Sequence, residues 1–184
     1  MATELKHIDN CKISTADLMN RYEYQPYLTA KLDKIERALT QDIVNEIVFW
    51  KVNRFAQLDE PILSKINSIS KGQSEVDPDL TGDILRVLLD KKTKGIGLPV
   101  ASTILRFVNP FCYQILDQRV YRFVYSGQSL KIPSKIEQQI DLYLQYLKRL
   151  RLVCNQYNIE FKISDRILYQ ADRKLNQDHK LSGY

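Results

Sequence analysis

The sequence predicts an all-α fold of about nine or ten helices, on three observations. Apolar residues recur at three- and four-residue steps along most of the chain, and capping residues stand in front of those runs. Glycine and proline, six of each in 184 residues, are too few for a loop-built fold. With 44% hydrophobic and 27% charged residues the chain is near globular averages, which excludes a disordered tail or a fibrous repeat. The length suits one domain, or two small lobes sharing a core, and no internal repeat or low-complexity tract interrupts it.

The elements follow in order. Thr40 caps a helix in which Ile43, Val44, Ile47, Val48, Lys51, Val52 and Phe55 form one wide face. Asp59 before Glu60-Pro61 starts a short helix through Ile69, because a proline in the first turn lacks only an N–H that has no intrahelical partner. Lys71 to Pro78 is polar and breaker-rich, hence a loop. Thr81 then caps a helix carrying Ile84, Leu85, Val87, Leu88 and Leu89, and Pro99 suits the first turn of the next. Phe111 to Leu116 and the run after Gly127 resist a helical reading. Asp117 is placed to cap Gln118 to Tyr125, and Ser134 with Glu137 has capping-box spacing ahead of a long helix with Ile136, Ile140, Tyr143, Leu144, Leu147 and Cys154 on one side. A last helix, capped by Ser164, carries Ile167, Leu168, Ala171 and Leu175, and a frayed tail from Asn176 to Tyr184 is expected.

Several chemistries are excluded. Cys11, Cys112 and Cys154 are odd in number and far apart, so they form neither a complete disulfide framework nor a four-thiolate cluster. His7 and His179 have no Cys or Asp at metal-ligand spacing, so no metal is expected. Serine or cysteine nucleophiles lack an obvious base, and no Walker loop or dinucleotide fingerprint occurs. No apolar run approaches the roughly 18 residues of a membrane span, and Met1 to His7 lacks the apolar core of a signal peptide. A cytoplasmic location is expected, at the nucleoid in a prokaryote, with no membrane partner. Oligomeric state is not encoded in any pattern.

Charge is more informative by place than by sum. The net charge is +5, and the stretch from Arg86 to Tyr125 alone carries seven basic residues against Asp90 and Asp117, an excess equal to that of the whole chain. Inside it lies Lys94-Gly95-Ile96-Gly97-Leu98-Pro99-Val100-Ala101, where one helix runs into Gly-x-Gly and another starts at once. Two glycines two apart permit a tight turn and remove side chains that would hold a polyanion away from the N–H groups of the second helix. Lys91, Lys92 and Lys94 add salt-sensitive attraction for DNA. Asp117 follows twenty positions after Gly97 and is the only carboxylate between Asp90 and Glu137.

Gly95-Ile96-Gly97, Ala101 and Leu116-Asp117-Gln118-Arg119-Val120 resemble, in order and spacing, the signature of the helix-hairpin-helix DNA glycosylases, the superfamily of endonuclease III and the adenine and 8-oxoguanine glycosylases. The likeness is close over this stretch; elsewhere it rests on helical content and length. It implies a two-lobed all-α fold with a helix-hairpin-helix motif and an interdomain cleft, the lobes being about 1–70 plus 135–184, and 78–134. It implies double-stranded DNA as partner, gripped through Lys91, Lys92, Lys94, Gly95, Ile96, Gly97 and Val100, and base excision with Asp117 as the catalytic carboxylate. The physics agrees: breaking an N-glycosidic bond develops positive charge on the sugar, which a fixed carboxylate stabilises, and the base must first leave the stack for a pocket with aromatic walls. Trp50, Arg54, Tyr113 and Tyr121 are the expected pocket residues; Trp50 and Arg54 lie one helical turn apart, and the tyrosines flank Asp117.

The departures are specific. Members that also cut the backbone through a Schiff base place a lysine two positions after the second glycine, where this chain has Pro99, so the resemblance implies a monofunctional enzyme. Lys94 replaces the usual proline before the first glycine. The four cysteines of an iron–sulfur cluster are missing after Asp117, so no cofactor is expected, while a monovalent cation at the hairpin is compatible with the resemblance. Asp165 to Gln170 near the C-terminus reads as a helix start that docks on the core. Two other functions fit the same residues: a non-catalytic DNA-binding protein that keeps the hairpin, and a helical protein-interaction module whose basic stretch is incidental.

Overall fold

The computed structural model describes residues 4–52, 56, 58–93 and 95–181. Among them the chain is all-helical, with nine α-helices, two short 3-10 turns and no strand. No helix is long and apolar enough to cross a membrane. Two helices precede the first one legible in the sequence: α1 (Thr15–Asn20) and α2 (Pro26–Leu32). The others are α3 (Gln41–Val52), α4 (Glu60–Asn67), α5 (Pro78–Leu88), α6 (Leu98–Val108), α7 (Gln118–Val124), α8 (Ile136–Tyr157) and α9 (Ser164–Leu175).

The expected caps divide. Thr40 Oγ1 accepts from the Ile43 N–H (3.4 Å) and Asp59 Oδ1 from Ile62 (3.1 Å), as their spacing predicts. Thr81 does not cap α5. Asp77 does, one residue before Pro78, accepting from Asp79 and Leu80 (both 3.0 Å), because a carboxylate ahead of a first-turn proline satisfies two orphan donors at once. The Thr81 hydroxyl is instead buried against Asp77 O and Tyr113 Oη. Ser134 and Glu137 form no capping box: α8 starts at Ile136, and Glu137 takes a bidentate contact from Arg86 (2.8 and 2.9 Å). Ser164 is the first residue of α9, its hydroxyl donating to Phe161 O (2.8 Å).

Helix α6 is central. Every side chain from Val100 to Val108 is buried, and α3 packs along it, while α7 packs on α9 and α5 on α8. Each fully buried aliphatic side chain here, such as Ile104 or Leu105, contributes roughly 1.5–3 kcal/mol of burial free energy. The tail is not frayed at its start. Asn176 is fully buried and pairs both ways with the backbone of Lys6, accepting from its N–H (2.6 Å) and donating to its carbonyl (2.7 Å).

The basic stretch is not one surface patch. Arg86 is taken up by Glu137 and Asp83; Arg106 is 3% exposed and bonds Asp33; Arg119 and Arg122 both turn onto Asp172. Arg119 and Arg122 thereby pair with a fully buried carboxylate, Arg106 with a part-buried one and Arg86 with two exposed ones, while Lys91 and Lys92 are exposed. Asp33 receives both Arg106 Nη1 (2.6 Å) and Arg166 Nη2 (2.5 Å). Burial pushes its carboxyl up, but those two guanidiniums outweigh burial and hold it below its ordinary 3.8. A depressed folded-state value stabilises the fold above the unfolded value and is lost as pH falls through the folded one. Thermal denaturation is therefore expected to show Tm falling as pH drops below about 3.8, and falling less steeply in Asp33→Asn, which has already lost this contribution.

Candidate functional site

The extended segment between α6 and α7 is built to hold Asp117. Asn109 starts it, fully buried, with its amide donating to Ser70 O and Gln73 O (2.8 and 2.9 Å) and its carbonyl oxygen accepting from Phe111 and Cys112 (2.9 and 3.2 Å). Three further side chains then fasten consecutive residues. Tyr143 Oη donates to Gln114 O (3.0 Å), Tyr146 Oη to Ile115 O (2.9 Å), and Ser102 Oγ accepts from Leu116 N (3.0 Å). Backbone groups that no helix satisfies are thus paired one after another up to Asp117. Tyr146→Phe keeps the packing but orphans the buried Ile115 carbonyl; urea denaturation is expected to show a loss of about 1–3 kcal/mol.

Asp117 caps α7, its Oδ1 accepting from Arg119 N (2.9 Å). The other oxygen is 3.2 Å from Lys51 Nζ, which arrives from the last turn of α3. Both side chains are mostly covered, 22% and 16% exposed. Together they line a cavity of about 400 Å³, within the usual range of small-molecule sites. Pro99 and Val100, at the start of α6, form part of its wall; Tyr22, Tyr24, Trp50 and Tyr169 supply aromatic faces. Asp165 adds a second carboxylate, 4% exposed, at 3.7 Å from Arg106 Nε. A larger, more open groove of about 1260 Å³ runs past Lys65, Arg86 and Lys92, but its lining has neither this carboxylate–amine pair nor an aromatic wall.

The aromatic wall is fixed from behind. Trp50 Nε1 donates to Thr29 Oγ1 (2.8 Å), and the Trp50 carbonyl, unsatisfied at the end of α3, accepts from Tyr24 Oη (2.8 Å) and Gln25 Nε2 (3.0 Å). Tyr24 and Phe107 each meet Trp50 edge to face, at 5.0 and 5.5 Å. Arg119 lies over Tyr169 at 5.8 Å. Tyr22 is buried enough that its hydroxyl titrates well above its ordinary range, with the Asp165 charge adding to the effect.

The structure redistributes the expected residues. Asp117 and Trp50 meet at the cavity. Tyr113 does not; it is 1% exposed in the core, held on Thr81 (2.9 Å). Tyr121 stacks on Tyr125 at 4.2 Å and does not line the cavity. Val100, expected at the DNA interface, is a cavity wall residue whose N–H donates to Gly97 O (3.0 Å), and the Ile96 side chain is buried. Arg54 and Lys94 lie outside the described residues.

The two glycines differ. Gly95 has φ +86°, where a side chain would be strained, so it sets the turn. Gly97 is extended, and a Cβ there would meet nothing nearer than Pro99 Cδ at 4.0 Å. The fold does not require glycine at 97, which lies exposed at the start of α6.

Lys51, Tyr22, Tyr24, Tyr169 and Asp165 are the charged and aromatic cavity residues that spacing alone did not single out for the site. Lys51 reads in sequence as part of an apolar helix face, and only the position of α3 beside α7 reveals its partner. Among the described residues no group of three or more His, Cys, Asp or Glu stands together as a metal site. Compared with protein-family models, with curated proteins and with solved structures, the chain matches none.

Proposed function

We propose that the chain is a DNA base-excision glycosylase that hydrolyses the N-glycosidic bond of a damaged or mispaired base extruded from duplex DNA. The observation that carries this reading is the Asp117 carboxylate in an aromatic-walled cavity that begins at the N-terminus of α6, two residues from the bare Gly97. In this reading α5, the 89–97 connection and α6 act as a helix-hairpin-helix, with Lys91 and Lys92 on neighbouring phosphates. The cavity walls come from α3, α9 and the 22–24 loop on one side and from α6 and α7 on the other, which fits a cleft between lobes 1–70 plus 135–184 and 78–134.

The chemistry asks three things of these residues. The tyrosines and Trp50 stack on the flipped base and offset part of the unstacking cost. Asp117, oriented by the Arg119 N–H and Lys51, faces the anomeric carbon and stabilises the positive charge that develops on the sugar. The hairpin contributes Pro99 and no amine, so the base-release step is a hydrolysis.

The test is base release from duplexes carrying single oxidised, deaminated, alkylated or mismatched bases, with alkali revealing abasic sites. Release by the wild type that Asp117→Asn loses is the expected result. Salt-sensitive duplex binding without any release would favour a non-catalytic DNA grip, and no binding would favour an interaction module.

A further inference from the structure

We propose that a second cavity, at the C-terminal end of α6, is a binding site for a small aromatic carboxylate, separate from the Asp117 cavity and independent of the glycosylase reading. Its volume is about 350 Å³, at the lower end of small-molecule sites, and it shares no lining residue with the Asp117 cavity. Its charged lining is cationic: Lys71, Arg106, Lys162 and Arg166 against Asp33. The rest is apolar, with Leu32, Ile35, Phe107 and Ile163 beside Phe111, whose ring is half exposed.

Asp33 organises the two guanidiniums more than it neutralises them. Its Oδ1 accepts from both Arg106 Nη1 (2.6 Å) and Arg166 Nη2 (2.5 Å), which fixes the cations before a ligand arrives and spares the entropy of ordering them. Arg106 Nη2 donates to Lys162 O (3.2 Å), whereas its Nε is buried without a hydrogen-bond partner, 3.7 Å from Asp165 Oδ2. Lys162 pairs with Glu160 (2.8 Å). Lys71 has no carboxylate within ion-pair distance among the described residues; its Nζ donates to Ile35 O and Arg37 O (2.9 and 3.1 Å). Desolvation pulls its amine below its ordinary value, and the Glu36 charge offsets only part of that. The four lining cations thus have three carboxylates in ion-pair range, Asp33, Asp165 and Glu160, which leaves one positive charge for a guest. That balance selects a monoanion. A carboxylate presents two acceptor oxygens to such donors, and the Phe107 ring, 4.8 Å from Arg106 Cζ, together with Phe111 suits a flat apolar body.

Isothermal titration calorimetry with naphthoate tests the site, with naphthamide and acetate as controls. Naphthoate is expected to saturate one site per chain and to bind at least about ten times more tightly than naphthamide, which lacks the charge, or acetate, which lacks the ring. Lys71→Gln, which keeps a hydrogen-bond donor, and Phe111→Ala, at a half-exposed ring, are each expected to melt like the wild type and to weaken naphthoate binding at least about fivefold. Intermolecular NOEs from the naphthoate ring to the Ile35 and Ile163 methyl groups locate the ligand without any substitution. The proposal is overturned by absent saturation, by equal affinity for naphthamide, by affinity that neither variant moves, or by NOEs to Val100 and Ile132 of the Asp117 cavity in place of Ile35 and Ile163. Base release on the lesion panel is scored separately: its absence removes the glycosylase reading and leaves this site standing, whereas release without naphthoate binding does the reverse.

Discussion

Asp117→Asn is expected to lower single-turnover base release by at least about 100-fold, the lower end of what a positioned acid–base or electrostatic group contributes. The substitution is sharp because it separates charge from structure. Asparagine caps helices as well as aspartate, so the bond to the Arg119 N–H (2.9 Å) and the start of α7 survive. What disappears is the negative charge that, in the proposed function, faces the sugar. Lys51 loses its counter-ion, but at 16% exposure its flexible stem can carry the ammonium towards solvent, so the fold stands. Release measured against a thermal melt checks both halves. Unchanged release with an intact melt would leave Asp117 as a helix cap and nothing more.

Asp172→Ala is expected to have the largest effect on stability, about 3–5 kcal/mol, because it strands a buried guanidinium. Asp172 is fully buried on α9 and accepts from Arg122 Nε and Nη2 (2.7 and 2.9 Å), Arg119 Nη1 (3.2 Å) and Asn176 Nδ2 (2.9 Å). Arg122, 6% exposed on α7, has no other carboxylate among its described ion pairs. For a chain of this size each kcal/mol moves Tm by roughly 2–4 °C, so scanning calorimetry should find a drop on the order of 10 °C. Replacing Arg122 by Met as well removes the uncompensated charge and should recover a large part of that loss. A Tm unchanged by Asp172→Ala would show that solvent reaches the guanidinium. Function is linked to this pair through geometry, since α7 carries Asp117 and α9 carries Tyr169 and Asp165 into the same cavity.

Much of the helical layout was legible because its causes are local. Apolar spacing, a threonine or aspartate before a run, and proline in a first turn act within a few residues, so α3, α4, α6 and α7 stand close to where the pattern puts them. Local rules failed where a stronger partner lay elsewhere. Glu137 had the right offset for a capping box but found the Arg86 guanidinium, and the Thr81 hydroxyl found Tyr113 across the core. The short α1 and α2 lack a long periodic face and owe their place to packing on α9 and α3.

For the site the division is the same. By itself the sequence determined the turn at Gly95, the bare Gly97, the capping role of Asp117 and the tryptophan at the end of α3, each set by neighbours along the chain. Tertiary structure alone decided that Lys51 meets Asp117 across 66 positions, that Tyr22, Tyr24 and Tyr169 share one cavity with them, and that Arg106, Arg119 and Arg122 of the basic stretch turn onto distant carboxylates. The physical reason is that caps and turns are satisfied by bonds a few residues long, whereas a buried charge takes whichever opposite charge helix packing brings within reach, and nothing in its local pattern names that partner.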